Sequence, residues 1–278
     1  MAECNLPEVD KVLVRDVMTT HVIQVGPNDP VVEVGGLLAE KRISGAVVVD
    51  GGIKGVISKE SFVAGVKYMG ENPLSSFKVS DFMSKSYETA DAGEPLGAVV
   101  DRINCATCRV DRVIVLDNGK LAGVLTKSDI SRVFAEHAKG CLKVGDIMQV
   151  NPSIVYDYTP LSKILREITM SRDKRVIVMA GQSVLGVITV LDLSLAMFEK
   201  LKLHEGKNPL DFITLDDVIT LNPVTTSEKT DAAEAAGIMV GKRIGGMPVV
   251  DSRLMGVLTK NDIVKGYPIF RNRIKRRH

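Results

Sequence analysis

The chain has 278 residues, of which 45% are hydrophobic and 25% charged, and its formal net charge is +2. This composition is typical of a globular protein with room for two domains, and so small a charge does not indicate nucleic-acid binding. The acidic start lacks the apolar core of a secretory signal, and no apolar run is long enough to span a bilayer. We therefore predict a cytoplasmic protein whose four cysteines remain thiols.

Two short strings recur four times in fixed order. The first, the anchor string, has an aspartate at its centre and recurs at intervals of 65, 65 and 71 residues: Val14-Arg-Asp-Val-Met18, Val79-Ser-Asp-Phe-Met83, Val144-Gly-Asp-Ile-Met148 and Leu215-Asp-Asp-Val-Ile219. The second, the glycine string, begins 39 to 42 residues after that aspartate: Gly55-Val-Ile-Ser58, Gly123-Val-Leu-Thr126, Gly186-Val-Ile-Thr189 and Gly256-Val-Leu-Thr259. This periodicity predicts four similar structural units.

Each unit predicts the same elements in the same order. A short extended segment follows the anchor string, and a helix begins where a polar residue precedes proline, as an N-cap residue followed by the first helical position. These pairs are Asp29-Pro30, Glu94-Pro95 and Thr159-Pro160, with Thr230-Asp231 in the same place in the fourth unit. A β-branched run then predicts a buried strand, a turn leads into a second strand through the glycine string, and a final helix begins at its last residue. The predicted fold class is α+β, with helices and strands mixed in every unit.

A unit of about 60 residues buries too little surface to be stable alone, so the repeats are expected to pack in pairs. A short polar segment, residues 136–142, marks the boundary between residues 1–140 and 141–278. The predicted repeats cover about 12–70, 77–138, 142–202 and 213–268, and a basic tail occupies 271–278.

The start of each final helix carries the candidate chemistry. Repeats 2, 3 and 4 have threonine at the N-cap position and aspartate three residues later: Thr126 and Asp129, Thr189 and Asp192, Thr259 and Asp262. Such a pair is a common helix cap and needs no ligand. A helix N-terminus can also bind phosphate, and the carboxylate can accept hydrogen bonds from ribose hydroxyls. Together, these groups suit a nucleotide.

The four units resemble cystathionine β-synthase (CBS) domains, whose pairs are called Bateman modules. The resemblance covers the chain from about Val14 to Tyr267. It implies two Bateman modules that meet in a flat disc, either within one chain or as a homodimer. It also implies an adenosyl-ligand site in each repeat, where Thr or Ser meets phosphate, Asp holds the ribose, and an apolar cleft holds adenine.

The resemblance assigns site residues repeat by repeat. In repeat 4 it implies an extended segment, an adenine-side strand and a ribose and phosphate pair: Thr220, Asn222, Pro223 and Val224; Gly246, Met247 and Pro248; Thr259 and Asp262. In repeat 2 it implies Ser84, Thr126 and Asp129, and in repeat 3 it implies Thr189 and Asp192. Repeat 1 departs from the pattern because Ser61 stands where the carboxylate belongs, so its site is expected to be empty or weaker.

One column of the repeats contains Gly45, Arg112, Arg175 and Gly246. In the regulatory γ subunit of AMP-activated protein kinase, which also has four CBS repeats, basic residues near this column face nucleotide phosphates. The resemblance therefore implies that Arg112 and Arg175 face phosphate, whereas the alternative is that both form surface salt bridges. A neighbouring column has arginine in all four repeats, for which we expect a structural role: Arg42, Arg109, Arg172 and Arg243.

The sequence shows no arrangement typical of a catalytic centre. A zinc site is also not predicted, because Cys105 and Cys108 have no second cysteine pair to complete it. We predict a non-catalytic regulatory protein that binds AMP, ADP or ATP and signals to an unidentified protein partner. An S-adenosylmethionine sensor is the alternative ligand hypothesis. A nucleic-acid-associated regulator using the basic tail, and a nucleotide hydrolase, are less favoured.

Overall fold

The computed structural model describes residues 12–41, 43–59, 61, 74–104, 112–171, 174–203 and 209–275. In each repeat we distinguish an anchor turn, a short strand, a first helix, a central strand, a return strand and a final helix. Repeat 1 comprises Val14–Val17, Gln24–Val25, Val31–Glu40, Gly45–Val49 and Ile53–Ser58. Repeat 2 comprises Val79–Phe82, Glu88–Asp91, Leu96–Ile103, Arg112–Asp117, Lys120–Thr126 and Lys127–His137, with a preceding 3-10 turn at Leu74–Ser76.

Repeat 3 follows the same order, beginning with a 3-10 anchor turn: Val144–Asp146, Ile154–Tyr156, Leu161–Met170, Arg175–Ala180, Ser183–Thr189 and Val190–Leu203. Repeat 4 comprises Leu215–Val218, Thr220–Leu221, Ala232–Gly241, Gly246–Val250, Leu254–Thr259 and Lys260–Lys275, after a 3-10 turn at Pro209–Phe212. The predicted order of helices and strands is confirmed. The final helix of repeat 1 begins at Lys59 and soon passes outside the described residues.

The central strand is the middle of each sheet. In repeats 1, 2 and 3 it pairs in parallel with the short strand and antiparallel with the return strand. In repeat 4 it pairs with the return strand, and Thr226 makes a parallel bridge to it at Val249. The tight turn between the central and return strands contains a glycine with positive φ in two repeats, Gly119 at 76° in repeat 2 and Gly181 at 59° in repeat 3.

The first helices begin one residue later than predicted. Pro30, Pro95 and Pro160 occupy the N-cap position and not the first helical position. The preceding polar residues cap the turn before the helix instead: Asp29 accepts the Gly26 N–H at 2.7 Å, and Thr159 accepts the Tyr156 N–H at 2.9 Å. In repeat 4 the N-cap is likewise the second residue of the pair, Asp231 and not Thr230, and its side chain accepts the N–H groups of Ala233 and Glu234.

The recurring aspartate of the anchor string has a structural role. In each repeat its Oδ2 accepts the backbone N–H three residues earlier, which closes a one-turn helix in the manner of a capping box. The four bonds run from Leu13 to Asp16 at 3.2 Å, Lys78 to Asp81 at 2.8 Å, Lys143 to Asp146 at 2.9 Å and Thr214 to Asp217 at 2.7 Å. The anchor string therefore encodes a turn of defined geometry.

Repeats 1 and 2 exchange the residues that follow their anchor turns, and so do repeats 3 and 4. Each such residue makes an antiparallel bridge to the return strand of the other repeat in its pair. The four bridges are Thr19 to Val124, Ser84 to Val56, Gln149 to Val257 and Thr220 to Val187. Each return-strand partner lies two residues before the residue at the N-cap position of the final helix.

The exchange explains the glycine string. A Cβ built on Gly123 would lie 2.9 Å from the Thr19 carbonyl oxygen, and one on Gly186 would lie 2.8 Å from the Thr220 carbonyl oxygen. Gly55 and Gly256 meet the carbonyl oxygens of Ser84 and Gln149 in the same way, still more closely. Glycine recurs at this position because the exchanged segment crosses directly over the return strand.

The chain forms two compact units. The first contains residues 1–21, 88–152 and 223–278, and the second contains 22–87 and 153–222. The first unit therefore combines the bodies of repeats 2 and 4, and the second combines those of repeats 1 and 3. These units do not divide at residue 140, because the chain passes from one to the other at every anchor. The assignment of Bateman modules to 1–140 and 141–278, and their assembly into a disc, stay predictions.

Each unit has its own core. In the first unit the final helix of repeat 2 packs on both helices of repeat 4, where Phe134, Ala236 and Tyr267 are fully buried. In the second unit the first helix of repeat 1 packs on the final helix of repeat 3, and Phe198 lies directly against Gly35. Helix contacts between repeats thus complete both cores.

The expectation that every cysteine is a thiol is wrong for Cys141, which is disulfide-bonded. The other three cysteines lie outside the described residues, so the bond's partner is not described. Also outside them are three of the arginines expected to be structural, Arg42, Arg109 and Arg172. Among the described residues, no helix has the length and apolar character required to cross a membrane.

Candidate functional site

The predicted Thr and Asp pairs form reciprocal caps at the starts of three final helices. In each pair the aspartate Oδ2 accepts both the backbone N–H and the hydroxyl of the threonine. The N–H and hydroxyl distances are 2.8 and 2.7 Å in repeat 2, 2.8 and 2.6 Å in repeat 3, and 2.8 and 2.7 Å in repeat 4. The simplest explanation, a well-formed helix cap, is therefore correct for all three pairs, and any ligand role is additional to it.

Burial distinguishes two of the three carboxylates from ordinary surface caps. Asp129 and Asp262 are 8% and 5% exposed, and Thr259 is only 1% exposed, whereas Asp192 is partly buried. Burial raises the pKa of Asp192, whereas hydrogen bonds from Thr189 and the positive charge of Lys59 lower it. A carboxylate held in such surroundings is available to hydrogen-bond donors that can replace water.

Repeat 1 has a helix cap without a carboxylate. The Ser58 N–H donates to Ser61 Oγ at 3.0 Å, and the Ser61 N–H donates to Ser58 Oγ at 3.2 Å. The Ser61 hydroxyl then donates to the Ser58 carbonyl oxygen at 2.8 Å. The helix start is satisfied, but Ser61 supplies a neutral hydroxyl at the position where the other three repeats have an aspartate.

The central strand places one residue directly opposite the start of each final helix. The four antiparallel pairs are Gly45 with Ser58, Arg112 with Thr126, Arg175 with Thr189 and Gly246 with Thr259. Side chains of directly opposed residues lie on one face of a sheet, with their Cβ atoms about 5 Å apart. Arg112 and Arg175 therefore share a face with the hydroxyl of their own repeat's helix cap.

The exchanged anchor segments bring further side chains to these helix starts. Thr19 of repeat 1 donates its hydroxyl to Asp129 Oδ1 of repeat 2 at 3.3 Å. Arg132, one turn along the same helix, lies 3.7 Å from that oxygen and donates to the Val17 carbonyl oxygen at 2.8 Å. Asp129 thus contacts the anchor segment of another repeat, which holds its second oxygen in place.

Sequence reasoning missed Thr19 and Arg132. A signal for Thr19 was present, because the position after the anchor string is a hydroxyl residue in three repeats: Thr19, Ser84 and Thr220. We assigned two of these to the site of their own repeat, whereas the pairing sends each to the return strand of the other repeat in its pair. The 110 residues that separate Thr19 from Asp129 conceal this contact from local sequence patterns.

The helix starts present groups that can bind a ligand. These are the N-terminal amides and hydroxyls, the buried or partly buried carboxylates, and the arginines opposite two of the caps. Among the described residues there is no group of three or more His, Cys, Asp or Glu side chains placed to bind a metal ion. The groups present suit a ligand that combines a phosphate with a pair of hydroxyls.

The model of the CBS domain family matches four segments of the chain, residues 14–67, 79–136, 144–199 and 213–268. These segments cover most of the sequence and agree with the four repeats predicted from the two strings. The chain belongs to the CBS domain family.

The chain is similar to several known proteins and solved structures. Uncharacterized protein MJ1404 of Methanocaldococcus jannaschii is 24% identical over 261 residues, which are 91% of this chain and 61% of that protein. The matched regions cover 42–61% of the lengths of MJ1404 and three other relatives, so this chain spans less than two thirds of each relative's own length. Its structure is similar to that of protein MJ1225 from the same organism, described as a candidate archaeal homolog of g-AMPK, with a TM-score of 0.79, 18% identity and coverage of 92% of this chain and 100% of that one. An uncharacterized conserved protein from Pyrococcus horikoshii gives a TM-score of 0.63 with 18% identity over 92% of this chain and 100% of that one. At these identities, the structural likeness shows the fold alone.

The structure separates some residues that the resemblance had grouped. In CBS repeat 4 the central strand contains Gly246, Met247 and Pro248 and pairs with the return strand, which ends at Thr259. Asp262 caps the helix that follows by accepting the Thr259 N–H. Pro223 and Val224 are half-buried and belong to the same compact unit.

Thr220 and Asn222 instead belong to the second unit, where they lie on the return strand of CBS repeat 3. Thr220 pairs with Val187, and the Asn222 N–H donates to the Leu185 carbonyl oxygen at 3.2 Å. Ser84 likewise bonds to Val56 of CBS repeat 1 and not to the cap of repeat 2. The described contacts therefore do not group these three residues with the repeats to which they were assigned, because the anchors are exchanged.

Proposed function

We propose that this protein is a non-catalytic regulator that binds adenine nucleotides in its CBS repeats and signals their occupancy to a protein partner. The observation that carries the proposal is the pairing of Arg112 with Thr126 and of Arg175 with Thr189 across the sheet. Each pair sets a positive charge and a hydroxyl beside a carboxylate, the buried Asp129 or the partly buried Asp192. A phosphate and a ribose joined in one ligand can satisfy both kinds of group.

The positive charges favour AMP, ADP or ATP over S-adenosylmethionine. The sulfonium ligand has no phosphate, so Arg112 and Arg175 would gain no charge-assisted hydrogen bond from one. Repeats 2 and 3 supply both arginine and aspartate, repeat 4 supplies aspartate with Gly246 opposite its cap, and repeat 1 supplies neither. We infer that repeats 2 and 3 bind the phosphorylated ligand most tightly and that repeat 1 does not bind it through a ribose carboxylate.

Ligand binding can report to a partner only if it favours one arrangement of the protein over another. The contact between Thr19 and Asp129 offers such a difference, because ribose hydroxyls that bind Asp129 would compete with the Thr19 hydroxyl. Occupancy of repeat 2 would then alter the hold on the anchor of repeat 1. The partner protein, the cytoplasmic location and a homodimer stay predictions.

Calorimetric titration with AMP, ATP and S-adenosylmethionine tests the proposal. The variant carries Asp129→Asn, Asp192→Asn and Asp262→Asn, which keep side-chain volume but remove the charged acceptors. We expect AMP or ATP to bind the unchanged chain and to lose about ten-fold or more in affinity in the variant, as is typical when a charge-assisted hydrogen bond is lost.

Because these aspartates also cap helices, the circular dichroism and thermal midpoint of the variant must first show that it is folded. Asp91→Asn provides a matched control, since Asp91 is an exposed carboxylate far in sequence from the starts of the final helices, and it accepts the N–H of the turn residue Gly93 at 2.8 Å. Preferential binding of S-adenosylmethionine would replace the nucleotide by the alternative ligand. If none of the three ligands binds the unchanged chain, the sensor proposal is wrong and the nucleic-acid alternative should be tested next.

A further inference from the structure

A lysine of repeat 1 lies beside the start of the final helix of repeat 3, within the second compact unit. Lys59 and Ile57 of repeat 1 line a small, mostly apolar cavity together with Leu191, Ser194 and Phe198 of repeat 3. Leu191 immediately precedes Asp192, the candidate ribose carboxylate. The positive charge of Lys59 also opposes the rise in the pKa of the Asp192 carboxyl that burial causes.

The first unit shows how a lysine at this position crosses between repeats. Lys260, the first residue of the final helix of repeat 4, donates from Nζ to Ser128 Oγ of repeat 2 at 2.9 Å. Ser128 immediately precedes Asp129. Lys59 has the same place in repeat 1 that Lys260 has in repeat 4, directly after the helix cap. The position thus carries a positive charge from one repeat to the helix start of another.

In the second unit this arrangement is one-sided. The residue after the cap is Lys127 in repeat 2 and Lys260 in repeat 4, but Val190 in repeat 3, where its side chain is buried. A lysine of repeat 1 therefore lies beside the helix start of repeat 3, whereas repeat 3 has no lysine at the matching position. The carboxylates are equally uneven, since repeat 3 has Asp192 whereas repeat 1 has Ser61 in that place.

We propose that Lys59 of repeat 1 is a specificity-determining residue of the repeat 3 site, where it selects phosphorylated adenosyl ligands over neutral or cationic ones. The inference rests on the function proposed above and assigns a role to the repeat that has lost its own carboxylate. A ribose bound at Asp192 directs the 5′ substituent of the ligand towards the helix N-terminus or along it. Lys59 and Arg175 then supply positive charge from two different repeats, and a phosphate can bind both.

The experiment isolates repeat 3 in the full-length chain. A background with Asp129→Asn and Asp262→Asn disables the carboxylates of repeats 2 and 4, and its fold is verified by circular dichroism. AMP and adenosine, which differ only by the phosphate, are titrated into this background with and without Lys59→Met. Methionine keeps an apolar stem against Ile57 and Phe198 while it removes the charge.

We expect Lys59→Met to weaken AMP binding about ten-fold and to leave adenosine binding unchanged within two-fold, because only AMP can lose a charge-assisted contact. Lys59→Arg should restore AMP affinity. Lys54→Met is the matched control, since Lys54 is an exposed lysine of the return strand that leads to Lys59, and its loss should alter the binding of neither ligand.

Unchanged AMP affinity in Lys59→Met would overturn the inference while leaving the proposed function intact. Equal losses for AMP and adenosine would also overturn it, since they would show a purely structural role for Lys59. If neither AMP nor ATP binds the unsubstituted chain, the proposed nucleotide-binding function is wrong and the inference fails with it. These results are distinguishable because the unsubstituted chain and the background are titrated separately.

Discussion

Two adjacent glycines in the first helix of repeat 1 meet opposite surroundings. A Cβ on Gly35 would overlap the ring of Phe198 from repeat 3, whereas a Cβ on Gly36 would have nothing within 4 Å. We expect Gly35→Ala to destabilise the protein by about 1–2 kcal/mol net, because overpacking outweighs the gain in helix propensity. Gly36→Ala should stabilise it by up to about 1 kcal/mol.

Urea unfolding of both variants measures these effects with opposite signs in one helix. Phe198→Leu in the Gly35→Ala background should recover part of the loss, since the smaller side chain relieves the overlap. Equal effects of the two alanines would show that Gly35 is not a close contact between repeats 1 and 3.

The environment of Asp217 predicts that the stability of the fold depends on pH in the acid range. Hydrogen bonds from the Thr214 N–H, from Lys200 and from the Thr214 hydroxyl lower the pKa of Asp217 to about 2. Because the pKa is lower in the folded chain than the usual value of about 3.9, ionised Asp217 stabilises the fold above about pH 4. That contribution is lost as the pH falls from about 4 towards 2.

The urea midpoint of Asp217→Asn, measured from neutral pH downwards, should therefore lie below that of the unchanged chain at neutral pH and approach it in acid. Asp216→Asn, an exposed neighbour in the same turn, removes an equal charge and serves as the control. A constant difference between Asp217→Asn and the unchanged chain across this range would contradict the assignment.

At the scale of elements, the anchor turns and the glycine strings act together: the segment after each anchor turn crosses the return strand of another repeat at its glycine. We expect Gly256→Ala to destabilise the protein by about 1–3 kcal/mol, because its Cβ would meet the backbone oxygen of Gln149, which cannot move aside as a side chain can. Thermal unfolding compares it with Gly241→Ala at the end of a helix, where a Cβ has nothing within 4 Å. Equal thermal midpoints would show that the crossing tolerates a side chain.

The sequence predicted these elements well and their partners poorly. The threonine caps at Thr126, Thr189 and Thr259 were predictable because a cap is formed by residues three positions apart. The pairing of Ser84 and Thr220 with return strands of other repeats was not predictable, because a periodic sequence does not say which of four similar sheets a segment covers. The recurring glycine was a usable sign of close backbone approach, but it named no partner.

At the scale of the molecule, neither compact unit is a continuous stretch of chain. Each core joins repeats from both predicted halves, so residues 1–140 made alone would expose the helix face around Phe134, which is 1% exposed in the whole protein. We expect this half to self-associate, because a second copy can cover exposed apolar helix faces. Adding residues 141–278 should convert it to a one-to-one complex.

Sedimentation velocity of each half and of their mixture measures this outcome, with the full-length chain as the reference for the complex. A half that stays monomeric at high concentration and does not bind the other half would show that helix packing between repeats contributes little to either core.

The exchange of anchors also affects how genetic data on this protein should be interpreted. A substitution at Thr19 lies in repeat 1 by sequence, yet its hydroxyl contacts Asp129 of repeat 2. Such a substitution would change the sequence of repeat 1 but disturb the helix start of repeat 2. Suppressor mutations that restore activity should therefore arise in the other repeat of the pair, and a map that assigns each allele to its own repeat would place the lesion at the wrong site.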